Sequence, residues 1–152
     1  MSLSNLRIFS KELFETSLPD SIKEKLTTAH ITIIPETLEG ETNLSVEAIN
    51  CAKWVKLGHP ELTIDTPSNV PVRVLKSHDV WLGVWLLAQD VQIHIVASLV
   101  ADYIRDMISP REEKTRLVRL KIAQKEGENY RVLEYEGPLD GLEIALQHKS
   151  GE

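Results

Sequence analysis

The run from Val80 to Pro110, VWLGVWLLAQDVQIHIVASLVADYIRDMISP, constrains the fold most, because no other segment of the 152 residues is long and apolar enough to seed a core. A bilayer span wants roughly 20 apolar residues with few charges. Here Gln89, Asp90, Gln92 and His94 interrupt the middle, and Asp102, Arg105 and Asp106 the end. A carboxylate at the centre of a span costs about 2.5–3.5 kcal/mol on insertion scales. The run therefore reads as the core of a soluble domain, with no membrane span, in the form of a helical hairpin or one helix broken near Gln89.

In the second half, a helical period of about 100° per residue gathers Ile93, Val96, Ala97, Leu99, Val100, Tyr103, Ile104 and Met107 on one side. Asp90, His94, Ser98, Asp102, Arg105 and Asp106 fall opposite. Val91 and Ile95 interrupt that polar side, which predicts a first turn buried all round. Pro110 ends the helix, since the residue before a proline is pushed out of the α region. The first half, Val80 to Ala88, follows Ser77 and Asp79, both good N-cap types. Trp81 and Trp85 are four apart, so on a helix they share a face, either core or an aromatic contact surface.

Upstream, Leu3 to Phe14 is either a short strand followed by a helix or one helix, and Ser17-Leu18-Pro19-Asp20 has the form of a helix start. His30 to Pro35 is β-branched and short, as a buried strand is. Glu36 to Asn43 reads as a polar loop. Ser45 then caps an amphipathic helix that Gly58 and Pro60 close. Glu61 to Asp65 is a second strand, so this half is βαβ-like and implies parallel pairing. Val70 to Leu75 is a third strand, at an edge or beginning at Pro71, which lacks an N–H. After Pro110 come a charged connector, strands near Arg116–Gln124 and Tyr130–Glu136, and a helix begun by Gly137-Pro138. The expected class is α/β (α+β) in one domain, 1–152, with 1–79 and 80–152 as the natural subdivision.

The two late strands carry a register. Gly127-Glu128 is a Gly-X turn of the kind a two-residue hairpin prefers. With it as the loop, Glu126 faces Asn129, Ile122 faces Leu133 and Leu120 faces Tyr135 on one side, while Lys121 faces Glu134 and Arg119 faces Glu136 on the other. A slip of one residue mixes the faces. The apolar side needs a cover, which Leu139, Leu142 and Leu146 supply.

Catalytic signatures are missing: no glycine-rich nucleotide loop, no nucleophile elbow and no His-Glu-x-x-His. The strongest acid–base candidate is the polar stripe Asp90, His94, Ser98, Asp102, in which Asp90 could orient His94. A metal there would need a third ligand such as His78 or His59. A solvated helix face explains the stripe equally well, and is preferred. Capping is preferred to chemistry for Ser77-His78-Asp79, because triads are assembled from distant segments. No catalytic residue, metal or cofactor is assigned. The lone Cys51 rules out an internal disulfide and a cysteine-rich zinc site, and reads as an inert buried thiol. A net charge of −6 argues against general nucleic-acid binding, which needs a basic surface. Residues 111–125 are locally basic (Arg111, Lys114, Arg116, Arg119, Lys121 and Lys125 against Glu112 and Glu113), in the main to pair with the acidic strand that follows. No basic region followed by an apolar block opens the chain, so no signal peptide is expected, and the cytoplasm is.

From Val96 to Leu146 the order is amphipathic helix, proline and charged linker, β-hairpin, and helix after Tyr135-Glu136-Gly137-Pro138. This stretch resembles small uncharacterised bacterial proteins and the effector-associated constant components of bacterial conflict systems. The resemblance, which leaves out the βαβ-like half, implies a non-enzymatic adaptor. The expected function is thus a protein–protein interaction or adaptor module, with Trp81, Trp85, Arg119, Lys121, Glu134 and Glu136 as its contact surface. An immunity- or antitoxin-like inhibitor and a small-ligand-binding α/β domain are the alternatives. A homo-oligomer is compatible with any of these.

Overall fold

Residues 80–87 form a β-strand, not a helix, and the rest of the fold is built on both of its faces. The computed structural model describes residues 3–10, 18, 29–38, 40–67, 70–73, 79–109, 111, 116–142 and 144. Its elements are β1 (Leu3–Ser10), β2 (Ile31–Ile34), β3 (Glu36–Leu38), β4 (Glu41–Ser45), α1 (Val46–Gly58), β5 (Ile64–Asp65), β6 (Val72–Arg73), β7 (Val80–Leu87), α2 (Ile93–Met107), β8 (Leu117–Glu126) and β9 (Asn129–Pro138), closing on a 3-10 turn at Leu139–Gly141. The α+β class is as expected. One sheet has the order β1-β9-β8-β7-β2-β5, taking strands from both halves of the chain, and a smaller one the order β3-β4-β6.

The helix expected over Val80–Ala88 fails for a physical reason. A strand covered on both faces reads as a continuous apolar run without alternation, and seven of the eight β7 residues are buried. A bulge then hides what alternation remains. β7 pairs in parallel with β8, Val80 opposite Val118 and Trp81 opposite Arg119, then Val84 opposite Lys121 and Trp85 opposite Ile122, so β7 carries one extra residue at Leu82–Gly83. Gly83 supplies the φ of +69°, which side-chain-bearing residues rarely adopt. The insertion reverses strand parity. Val80 and Leu82 before it, and Trp85 and Leu87 after it, all join the core that α1 and α2 cover. Leu86 and Val84 face the other way, with Ile34, Ala123, Tyr130, Val132 and Leu18. Trp81 and Trp85 therefore lie on opposite faces, not on a shared one.

The βαβ-like reading holds: β2 and β5 flank α1 in sequence and pair in parallel, with Ile31 opposite Ile64. Ser45 caps α1 by accepting the Ala48 N–H at 3.0 Å, and the same hydroxyl donates to the Trp81 carbonyl, fastening the helix start to β7. The segment Glu36–Asn43 is not a loop. It is the β3–β4 hairpin, turning at Gly40 (φ +82°), with the Thr37 and Thr42 hydroxyls 2.9 Å apart. Its exposed face gave it a loop-like composition. β6 begins just after Pro71 and lies at the edge of the small sheet, beside β4.

α2 packs through Ile93, Val96, Ala97, Val100, Ala101 and Ile104. Its first turn is not buried all round: Ile95 is 46% exposed, because only one side of the helix meets the sheet. Gln124 of β8 holds the turn ahead of α2, its Nε2 donating to the carbonyls of Ala88 (3.0 Å) and Val91.

The β8–β9 register is the expected one in every pair: Glu126 with Asn129, Ile122 with Leu133, Leu120 with Tyr135, Lys121 with Glu134, Arg119 with Glu136. Gly127 has φ +58°, as the first central residue of a primed turn requires. Leu139 and Leu142 cover the apolar side; Leu146 lies outside the described residues. The Tyr135–Pro138 stretch is the end of β9, where the Tyr135 hydroxyl donates to the Pro138 carbonyl at 2.5 Å. Of the two readings of the N-terminus, residues 3–10 take the strand, antiparallel to β9. The helix start at Ser17–Asp20 lies outside the described residues except for Leu18, which is buried.

Candidate functional site

Registered neighbours share a face of a sheet, so the face opposite the helices carries a row of charges. Arg119 and Lys121 of β8 stand between Glu136 and Glu134 of β9 and Trp81 and Val84 of β7. A cleft of about 180 Å³ lies there, beside the bulge. Trp81, Arg119, Lys121, Glu134 and Glu136 line it, and Glu36 reaches it from β3.

Glu36 is the centre of the bonding. One carboxylate oxygen accepts from Trp81 Nε1 at 2.8 Å, and the other is 2.6 Å from Lys121 Nζ. Its side chain is only 15% exposed, against 35% for Lys121. Arg119 Nη2 lies 3.3 Å from Asp79 Oδ2 and 3.7 Å from Glu136 Oε1. Asn43, opposite Glu36 in the hairpin, is 6% exposed, and its Nδ2 has no hydrogen-bond partner among the described residues. Among the described residues, carboxylates outnumber cations here, Glu36, Asp79, Glu134 and Glu136 against Arg119 and Lys121. Glu36 is occupied through both oxygens and Glu136 lies against Arg119, while Glu134 lines the opening beside Lys121.

Five of the six residues expected to form a contact surface meet in this cleft. Trp85 does not: it is fully buried, and its indole N–H donates to the Leu82 carbonyl at 2.8 Å. Glu36 and Asp79 were missed. Asp79, read as a helix cap, precedes a strand and pairs with Arg119. Nothing local marks Glu36, whose partner Lys121 lies 85 residues away. The ion pairs of Arg119 and Lys121 account for part of the basic stretch 111–125; residues 112–115 lie outside the described ones.

The polar stripe does not assemble as drawn. Asp90 lies in the turn before α2, so the helical spacing from Asp90 to His94 does not apply. His94 and Asp102 are exposed on α2, Ser98 is half-buried, and Asp102 pairs with Arg105 at 3.3 Å. His59 Nδ1 is 3.4 Å from Glu61. Ser77 and His78 lie outside the described residues. Among the described residues, no three His, Cys, Asp or Glu side chains are grouped as metal ligands. Cys51 is fully buried, and burial first, then the Glu47 carboxylate, pushes its thiol up. Tyr103, which donates to Glu47 at 3.2 Å, is pushed up by burial and by the same carboxylate.

No protein family, curated protein or solved structure matches the chain. Among the described residues, no helix is long and apolar enough to cross a membrane.

Proposed function

We propose that the protein is a non-enzymatic protein–protein interaction module and that its cleft at the β7 bulge receives a cationic group of the partner. The charge balance carries this reading: among the described residues, carboxylates exceed cations around an opening whose bases are already paired. Complementary charge steers encounter and selects partners more than it adds affinity. Electrostatics of this sign also disfavours general nucleic-acid binding. The resemblance of Val96–Leu146 to constant components of bacterial conflict systems suggests a setting, an adaptor beside a variable effector in the cytoplasm. The same acid excess favours a second reading, an immunity- or antitoxin-like inhibitor that masks a basic enzyme surface. At this cleft a small-ligand site is less favoured, since about 180 Å³ is below the 300–1,000 Å³ usual for such pockets.

The test compares immobilised wild type with Glu134→Lys/Glu136→Lys in host extract. Proteins held by the wild type at low salt and lost by the variant support the reading. Retention of the same proteins by both removes the cleft as the contact. Suppression of a retained enzyme's activity selects the inhibitor over the adaptor.

A further inference from the structure

A second surface lies at the far edge of the large sheet and on its other side, where α1 packs. β5 is the last strand there, and among the described residues only β2 pairs with it. Thr63 turns both main-chain groups toward β2: its carbonyl accepts from Ile31 N at 3.1 Å, and its N–H donates to His30 Nδ1 at 3.0 Å. In an extended chain the next residue turns its groups to the opposite edge. The N–H and C=O of Ile64 therefore point outward, as a template for another strand. Beside them runs an open, mostly apolar groove of about 390 Å³, formed by Ala52, Lys53, Lys56 and Leu57 of α1 with Ile64 and Thr66. Leu57 is 85% exposed at its lip.

Charge determines what fits. Lys53 and Lys56 are the charged members of the groove; Lys56 gives one donor to the Leu62 carbonyl at 3.2 Å and keeps others. Among the described residues, the nearby carboxylates are directed elsewhere. Asp65, in register with Thr32, lies on the opposite face of the sheet from Ile64, and Glu61 lies against His59. The groove is thus locally cationic in a chain of net charge −6, and charges beyond a Debye length of about 8–10 Å are largely screened.

We propose that this groove docks an extended segment of a partner protein, alternating acidic and aliphatic residues, which adds as a strand beside β5. Main-chain bonds to Ile64 set its direction, the apolar floor takes the aliphatic side chains, and the two lysines take the carboxylates. The site is independent of the acid-rich cleft, which prefers a partner of opposite charge.

A random-peptide library selected on the purified full chain tests this. The expected winners alternate Asp or Glu with Val, Ile or Leu. Their fluorescence anisotropy should show binding about tenfold weaker to Lys53→Glu/Leu57→Asp than to wild type, and weaker in high salt. The Ile64 amide should gain hydrogen-exchange protection when they bind. Both substituted residues are exposed, and thermal melts confirm that the variant folds. Failure to enrich any peptide overturns the proposal, leaving the lysines as guards of a short sheet edge. Winners without acidic residues overturn it too. So does binding abolished by Glu134→Lys/Glu136→Lys but unaffected by Lys53→Glu/Leu57→Asp, which assigns the peptides to the cleft.

Discussion

The ammonium of Lys121 lies 2.6 Å from the carboxylate of Glu36, although Glu134 is its cross-strand partner. Through that carboxylate, which also accepts from Trp81, β3 is tied to β7 and β8 at once. Glu36→Ala leaves a half-buried cation and a buried indole N–H without their acceptor, which should destabilise the chain by about 1–3 kcal/mol. Glu134→Ala should stay within about 0.5 kcal/mol. Urea midpoints of the two variants decide. Equal losses would show that the cross-strand pair holds Lys121 as firmly as the tether to β3 does.

Gly83→Ala separates space from strain. An added Cβ would meet Ser45 Cβ at 3.5 Å and Ala48 Cβ at 3.7 Å, ordinary contacts, whereas the φ of +69° is unfavourable for any L side chain. The expected penalty of about 1–2 kcal/mol lowers Tm by about 2–8 °C in a chain of this size. Calorimetry reads the shift. An unchanged Tm would mean that the bulge relaxes without strain.

The same bulge explains which parts of the fold were legible in the sequence. The β8–β9 register was readable because one turn sorts Ile122 with Leu133 and Arg119 with Glu136, so local chemistry and pairing agree. α1 was readable from Ser45 and Gly58 at its ends. β7 was not, because burial on both faces removes alternation and the residue inserted at Gly83 shifts the rest by one. Trp81 and Trp85 then mimic a helical pair while facing opposite ways. Four residues of the candidate site, Arg119, Lys121, Glu134 and Glu136, followed from the hairpin register. The places of Glu36 and Asp79 depend on how β3 and β7 lie against β8, which no local pattern records.

Asp90→Asn and His94→Ala should change little. Both side chains are exposed, one in the turn before α2 and one on its outer side. Stability should stay within about 0.5 kcal/mol of wild type, and partner retention should be unchanged in the extract assay. Loss of retention in either variant would move the contact surface from the cleft to α2.

Alkaline pH should destabilise the protein through Cys51. Burial, followed by the Glu47 carboxylate, raises the folded-state thiol well above its ordinary value of 9.0. Below that value the thiol is protonated in both folded and unfolded chains, and its contribution to stability does not vary with pH. As pH climbs past it, the unfolded chain ionises while the folded chain does not, so stability falls by up to about 1.4 kcal/mol per pH unit until the folded thiol also titrates. Tyr103 acts in the same direction from its ordinary value of 10.0, raised by burial and by Glu47; it is half-buried, so its share is smaller. Thermal melts from about pH 8 to about pH 11 should show Tm dropping above the thiol's ordinary range. In Cys51→Ala the onset should move up toward the tyrosine range, even though the variant starts from a lower Tm because of the cavity it leaves. If the onset stays where it is in wild type, the alkaline loss belongs to groups other than this thiol.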